Sequence, residues 1–161
     1  MKDVLTQEFI KMSTNAFVGA WRLLSFEART SGGEVSYPLG RDAAGLLLYS
    51  QEGYVAVSVM RGDRANFKSA SIWEAASSEE KLAAFDSYSS YCGRYEVKQN
   101  KVIHHVELSL FPNWSGGGQE RYFEFAGERL TLRTPPAMVG GVEQTAIAIW
   151  QRVNCLARIP E

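Results

Sequence analysis

The residues with chemistry to offer are few. The chain carries two histidines, His104 and His105, side by side, and two cysteines, Cys92 and Cys155. Adjacent strand residues point to opposite faces, so the two histidines cannot chelate one metal ion, and neither cysteine lies in the line of His104. No metal ligand set is expected. There is no G-x-S-x-G elbow and no strand–glycine loop–helix cradle for phosphate, which argues against serine-triad hydrolysis and nucleotide chemistry. Trp114-Ser115-Gly116-Gly117-Gly118 joins two strand-like runs and reads as a loop. What remains is Arg121, with Glu27, Tyr91 and His104 as groups that could act beside it.

These residues sit on runs rich in β-branched and aromatic side chains, at about 20–28, 44–50, 54–61, 88–97, 102–111, 119–125, 129–134 and 143–153. Connections after the second, fourth and sixth runs are tight; those after the first, third, fifth and seventh are long. In an up-and-down arrangement, tight turns gather at one end and long loops at the other. The pattern predicts an all-β fold, an eight-stranded antiparallel up-and-down barrel with a closed floor and a loop-lined mouth. MKDVLTQEFIKM predicts a short N-terminal amphipathic helix that plugs the floor. Ser77, with Glu80 three residues on, starts a second helix through Phe85, inserted between strands three and four. Trp73, Leu82 and Phe85 make that insertion a candidate lid.

Cross-strand pairing assigns the faces, because paired residues share one. A two-residue turn at Gln99–Asn100 pairs Val97 with Val102, Tyr95 with His104, Gly93 with Val106 and Tyr91 with Leu108. That face is apolar apart from two tyrosines and His104, so it points inward. Arg94, Glu96, Cys92, His105 and Glu107 point out. A turn at Gly127–Glu128 pairs Phe125 with Leu130, Phe123 with Leu132 and Arg121 with Thr134. Arg121 therefore faces inward at the mouth end, where a charge is costly unless paired. It is either the structural partner of an acid such as Glu27 or an anchor for a ligand carboxylate, enolate or carbonyl. Glu27 is either that partner or a general acid/base. His104 is a satisfied core histidine or a catalytic one; His105 is surface. Trp114, Phe111, Met60, Pro135, Pro136 and Met138 collect around the opening, where they pack loops together or face a ligand.

Composition narrows the classes. With 161 residues, 45% hydrophobic and 22% charged, the chain reads as one domain, 1–161, with the barrel over about 17–153. A net charge of −1 offers no field for nucleic acid or an anionic membrane. No apolar stretch is long enough to span a bilayer, and the N-terminal segment lacks a signal-peptide core. Two cysteines make no disulfide framework, and unpaired thiols fit a reducing cytoplasm.

At Gly19-Ala20-Trp21-Arg22-Leu23 the chain resembles the G-x-W start of lipocalin-type barrels. That resemblance implies Trp21 at the closed end with Arg152 packed over it, both structural, and Trp21, Leu23, Ser25 and Glu27 inward. More of the chain is similar to the bacterial and fungal lipocalin-like domain family of small stand-alone calycin-type proteins. The segments are WRLLSFEAR, YPLGRDAAGLLLYS, GYVAVSVMRGDRANF, FDSYSSYCGRYEV, VIHHVELSLFPNWSGGGQERYFEF and LTLRTPP. The resemblance implies the barrel and a hydrophobic cavity, with no single activity. It departs from classical secreted lipocalins, which carry signal peptides and usually disulfides.

Two functions follow. The first is binding a small, mostly hydrophobic molecule with an anionic or carbonyl group, lined by Arg121, Glu27, Tyr91, Tyr95, Trp114, Met60 and His104. The second is a cofactor-independent isomerase, cyclase or lyase of a polyketide- or terpenoid-like substrate, using Arg121, Glu27, Tyr91 and His104. Neither needs a cofactor, metal, nucleic acid or membrane. The sequence is compatible with a homo-oligomer.

Overall fold

The computed structural model describes residues 15–68 and 76–154. The expected N-terminal helix, Trp73 and Cys155 lie outside these residues. The strands are β1 (Gly19–Thr30), β2 (Val35–Ser36), β3 (Ala44–Tyr49), β4 (Tyr54–Met60), β5 (Tyr88–Lys98), β6 (Lys101–Ser109), β7 (Gly118–Ala126), β8 (Arg129–Arg133), β9 (Ala137–Val139) and β10 (Val142–Arg152). They pair in the order β2-β1-β3-β4-β5-β6-β7-β8-β10-β9, and β1 also pairs with β10, so eight of them close into an antiparallel barrel. The two strands beyond the expected eight, β2 and β9, are short additions on β1 and β10 made from long connections. Helix α1 (Ser78–Asp86) lies between β4 and β5, and its Ser77 capping box is formed in both directions. It buries none of its residues.

Alternation of buried and exposed residues follows from the pleat, as in β8, where Leu130 and Leu132 are buried between Arg129, Thr131 and Arg133. The tight turns are as the sequence suggests; at the β7–β8 turn Gly127 has a positive φ of 60°, which glycine adopts without a Cβ penalty. The floor is aromatic. Phe17, fully buried, contacts Tyr49, Phe123 and Phe125 with ring centroids 4.9, 4.9 and 5.0 Å away. Trp21, also fully buried, donates its indole N–H to the Phe17 carbonyl. Arg152 covers the Trp21 ring at 4.1 Å.

Two bulges change the faces. Between Leu23 and Ser25 the pairing of β1 with β10 slips by one residue, leaving Leu24 half-exposed. Beyond the slip Phe26 pairs with Ala148 and Ala28 with Ala146, on the interior side, so Glu27, paired with Ile147, falls on the outer face. Its expected inward position is therefore corrected. The second bulge lies between Cys92 and Gly93: Gly93 still pairs with Val106, but Cys92 meets Leu108 and Tyr91 meets Ser109. Leu108 is consequently exposed rather than inward, while Tyr91 remains buried. A Cβ on Gly93 would stand 2.0 Å from the His105 carbonyl oxygen, so only glycine permits the approach. Arg94, His105 and Glu107 are exposed, as the hairpin pairing predicts.

Candidate functional site

Above the aromatic floor the barrel holds a cavity of about 360 Å³, near the lower end of the usual ligand-site range of about 300–1,000 Å³. Phe26, Leu47, Val57, Val59, Leu132, Ala146, Ala148 and Trp150 form its apolar wall. Pro38 and Leu39, from the connection between β2 and β3, and Trp114 border it on the long-loop side. The polar lining is Ser89, Tyr91, His104, Gln119, Arg121 and Thr134. No carboxylate lines it among the described residues.

The polar groups meet on β5, β6 and β7. His104 is buried on β6, with its Nε2 2.7 Å from the Tyr49 hydroxyl and its Nδ1 2.8 Å from the Tyr91 hydroxyl. Burial, and next the charge of Arg121, push the imidazole pKa down to about 3, so it is neutral at ordinary pH. Burial raises the Tyr49 and Tyr91 pKa values; the Arg121 charge opposes both shifts. Tyr49–His104–Tyr91 is therefore an uncharged hydrogen-bonded chain across the barrel.

Arg121 supplies the charge. Strand alternation on β7 turns Gln119, Arg121, Phe123 and Phe125 inward, with Val102 opposite Arg121. Val102 is one residue into β6, and on the other side Tyr122 pairs with Arg133, the last residue of β8. One terminal nitrogen donates to the Glu120 carbonyl (2.7 Å) and the other to Gln119 Oε1 (3.3 Å). Among the described residues, no carboxylate pairs with it. Glu27 instead accepts from Arg29 on the outside of β1, at 2.7 Å from Nε. The alternative of a Glu27–Arg121 partnership is excluded by that geometry.

The sequence-based candidates divide accordingly. Tyr91, Trp114, His104 and Arg121 come together on the cavity, and Tyr91 packs edge-on to Trp114 at 5.8 Å. Tyr95 does not line it: its hydroxyl donates to the Ser50 carbonyl and its ring packs on Tyr49, near the floor. Met60 is replaced by its neighbour Val59, because alternation along β4 turns Val57 and Val59 inward. Phe111 packs against Trp114 but is exposed, as is Met138, and neither joins the lining; nor do Pro135 and Pro136. No residue of α1 reaches the cavity lining. Sequence reasoning missed Tyr49, Gln119, Thr134 and Trp150. The first three were legible as inward-parity positions on their strands or strand ends. The indole N–H of Trp150 is buried with no partner among the described residues.

Among the described residues there is no cluster of three metal-ligating side chains, and no helix is long and apolar enough to cross a membrane. A curated relative from Aspergillus oryzae, named a 4'-hydroxy-3'-methoxypropiophenone carrier protein, is 36% identical over 84 residues, covering 47% of this chain and 76% of the relative. The lipocalin-like domain family matches residues 18–153, which span every barrel strand and all of the cavity-lining side chains. The closed barrel, its capped floor and this match agree: the chain belongs to the lipocalin-like domain family.

Proposed function

We propose that the protein binds and carries a small, mostly apolar molecule that bears a carbonyl or anionic oxygen. The observation that carries this reading is an apolar cavity whose one charged lining group, Arg121, has no carboxylate partner among the described residues. Such a guanidinium favours a guest that brings an oxygen acceptor. The relative's name supports the same class, because a hydroxylated, methoxylated propiophenone joins an aromatic ring to a ketone. Trp114 and Phe26 offer faces for such a ring, and Tyr91 and Arg121 offer donors for its oxygen. The remainder of the proposal is a single cytoplasmic domain that works without cofactor, metal, nucleic acid or membrane. Calorimetric titration with a panel of aryl ketones, aromatic carboxylates and their deoxygenated analogues tests it. Arg121→Met should weaken the oxygenated guests by about 2–5 kcal/mol and leave the deoxygenated ones unchanged. Equal affinity of all guests for both proteins would refute the reading.

A second reading, a cofactor-independent isomerase, cyclase or lyase, is favoured by the buried Tyr49–His104–Tyr91 chain beside Arg121. The depressed basicity of His104 weighs against its use as a base. Incubation of enolisable ketones in deuterated water, with exchange followed by NMR, separates the two. Carriage alone leaves the exchange rate of the bound ketone at its solution value.

A further inference from the structure

Resting on the binding reading above, we propose that the cavity takes an acidic O–H guest, a phenol or an enol, as its conjugate base, held by the Tyr91 hydroxyl and the Arg121 guanidinium. Hydrogen-bond accounting at His104 leads there. A neutral imidazole has one N–H and one lone pair, so one tyrosine must donate to it and the other must accept. The Tyr49 hydroxyl has no hydrogen-bond partner but Nε2 among the described residues, and Tyr49 does not line the cavity. If Nε2 carried the proton, the Tyr49 O–H would be buried with nothing to donate to, which is costly. Tyr49 therefore donates to Nε2, Nδ1 carries the proton, and Nδ1–H donates to the Tyr91 oxygen. The Tyr91 O–H is then left over, and Tyr91 lines the cavity.

Arg121 lines the same cavity, and its charge bears on Tyr91, Tyr49 and His104 alike. It spends one N–H on Glu120 and one on Gln119, leaving others free. The site thus presents donors and a positive charge with no negative group to match. Burial alone favours a neutral phenol, as it does for Tyr91; direct contact with both donors and the weakly screened charge holds the guest's anion against it. A guest oxygen anion satisfies both donors; the neutral guest O–H meets a group that is already a donor. His104 has both nitrogens engaged and accepts no proton. The guest's proton passes to bulk water: ArOH in solution becomes bound ArO⁻ plus one released H⁺.

4-Nitrophenol tests this, because its phenol and phenolate absorb at different wavelengths, with 4-nitroanisole as the partner that has no acidic proton. Titrated against the protein below its solution pKa, bound 4-nitrophenol should show the phenolate band. Its bound pKa should fall by about one to three units, the effect of a nearby opposite charge. A pH-indicator dye should register one proton released per guest. Arg121→Met should return the bound guest to the phenol band, Arg121→Lys should keep most of the shift, and Tyr91→Phe should give a smaller shift. If both probes bind and the nitrophenol stays protonated, the inference fails while the binding reading stands. If neither binds, both fail. A phenolate band that survives in Arg121→Met would overturn the assignment to these residues.

Discussion

The Arg152 guanidinium lies 4.1 Å over the Trp21 ring while its two terminal nitrogens donate to the Val18 and Ala16 carbonyls, at 2.8 and 2.6 Å. One side chain thus ties the last barrel strand to the segment leading into the first, across the closed end. The pair makes the floor a rigid base on which the cavity above is shaped. Trp21→Ala should cost about 3–5 kcal/mol, the usual loss for truncating a core aromatic. Arg152→Lys should also destabilise, because a single ammonium cannot lie flat on the indole and reach both carbonyls. Urea denaturation followed by fluorescence measures both, and a neutral Trp21→Ala would contradict the floor's role.

The barrel was legible because its signals are local. Tight and long connections alternate, and the pairings of Tyr95 with His104 and of Phe123 with Leu132 follow from two-residue turns. Arg121 was legible as an inward charge for the same reason. The errors have separate causes. A bulge flips parity, and nothing at Leu23-Leu24-Ser25 distinguishes a bulge from plain alternation, so Glu27 was carried to the wrong face. Met60 was judged by its nearness to the mouth loops rather than by its parity with Val57 and Val59. Tyr95 was inward, but depth along the barrel depends on strand stagger, which spacing does not encode.

Gly93 should tolerate no side chain. Its Cβ would collide with backbone, the His105 carbonyl carbon and oxygen and the Glu107 nitrogen, rather than with a side chain able to swing away. Gly93→Ala should destabilise by about 1–3 kcal/mol or more, as overpacking does, and should disturb the bulge that sets Tyr91 against the cavity. Denaturation midpoints together with the hydrogen-exchange rates of the Tyr91 and Val106 amides check this. An unperturbed Gly93→Ala protein would mean that the bulge is not a close approach.

Glu27 should be dispensable for binding. It lies on the outer side of β1, where it is itself buried at 9% exposure, and pairs with Arg29, whose side chain is 55% exposed. Glu27→Gln should leave affinity for an aryl ketone unchanged and lower the denaturation midpoint, whereas Arg121→Met should lower the affinity and leave the midpoint near its wild-type value. A loss of affinity in Glu27→Gln, measured by calorimetry, would restore Glu27 to the site.

His104 should make the protein acid-sensitive in a defined window. In the fold it takes up a proton only near pH 3, against 6.5 for the free side chain. Between those values the unfolded chain binds more protons than the native one, so falling pH favours unfolding. The contribution of His104 is fully present above about pH 6.5 and is lost progressively as pH falls towards about 3. Carboxylates held below their usual range, such as Glu80 and Glu96, add their own acid sensitivity, so the wild-type slope alone does not isolate the histidine. His104→Gln does, because glutamine can still bond both tyrosines and has no proton to gain. Urea midpoints at about pH 7, 5.5 and 4 should fall more steeply in the wild type than in His104→Gln. Parallel slopes would mean that His104 takes up its proton at the same pH in the native barrel as in the unfolded chain, so that burial does not lower its pKa. The Tyr49–His104–Tyr91 chain would then carry a charge below about pH 6.5, and the free hydroxyl proton assigned to Tyr91 would hold only above it.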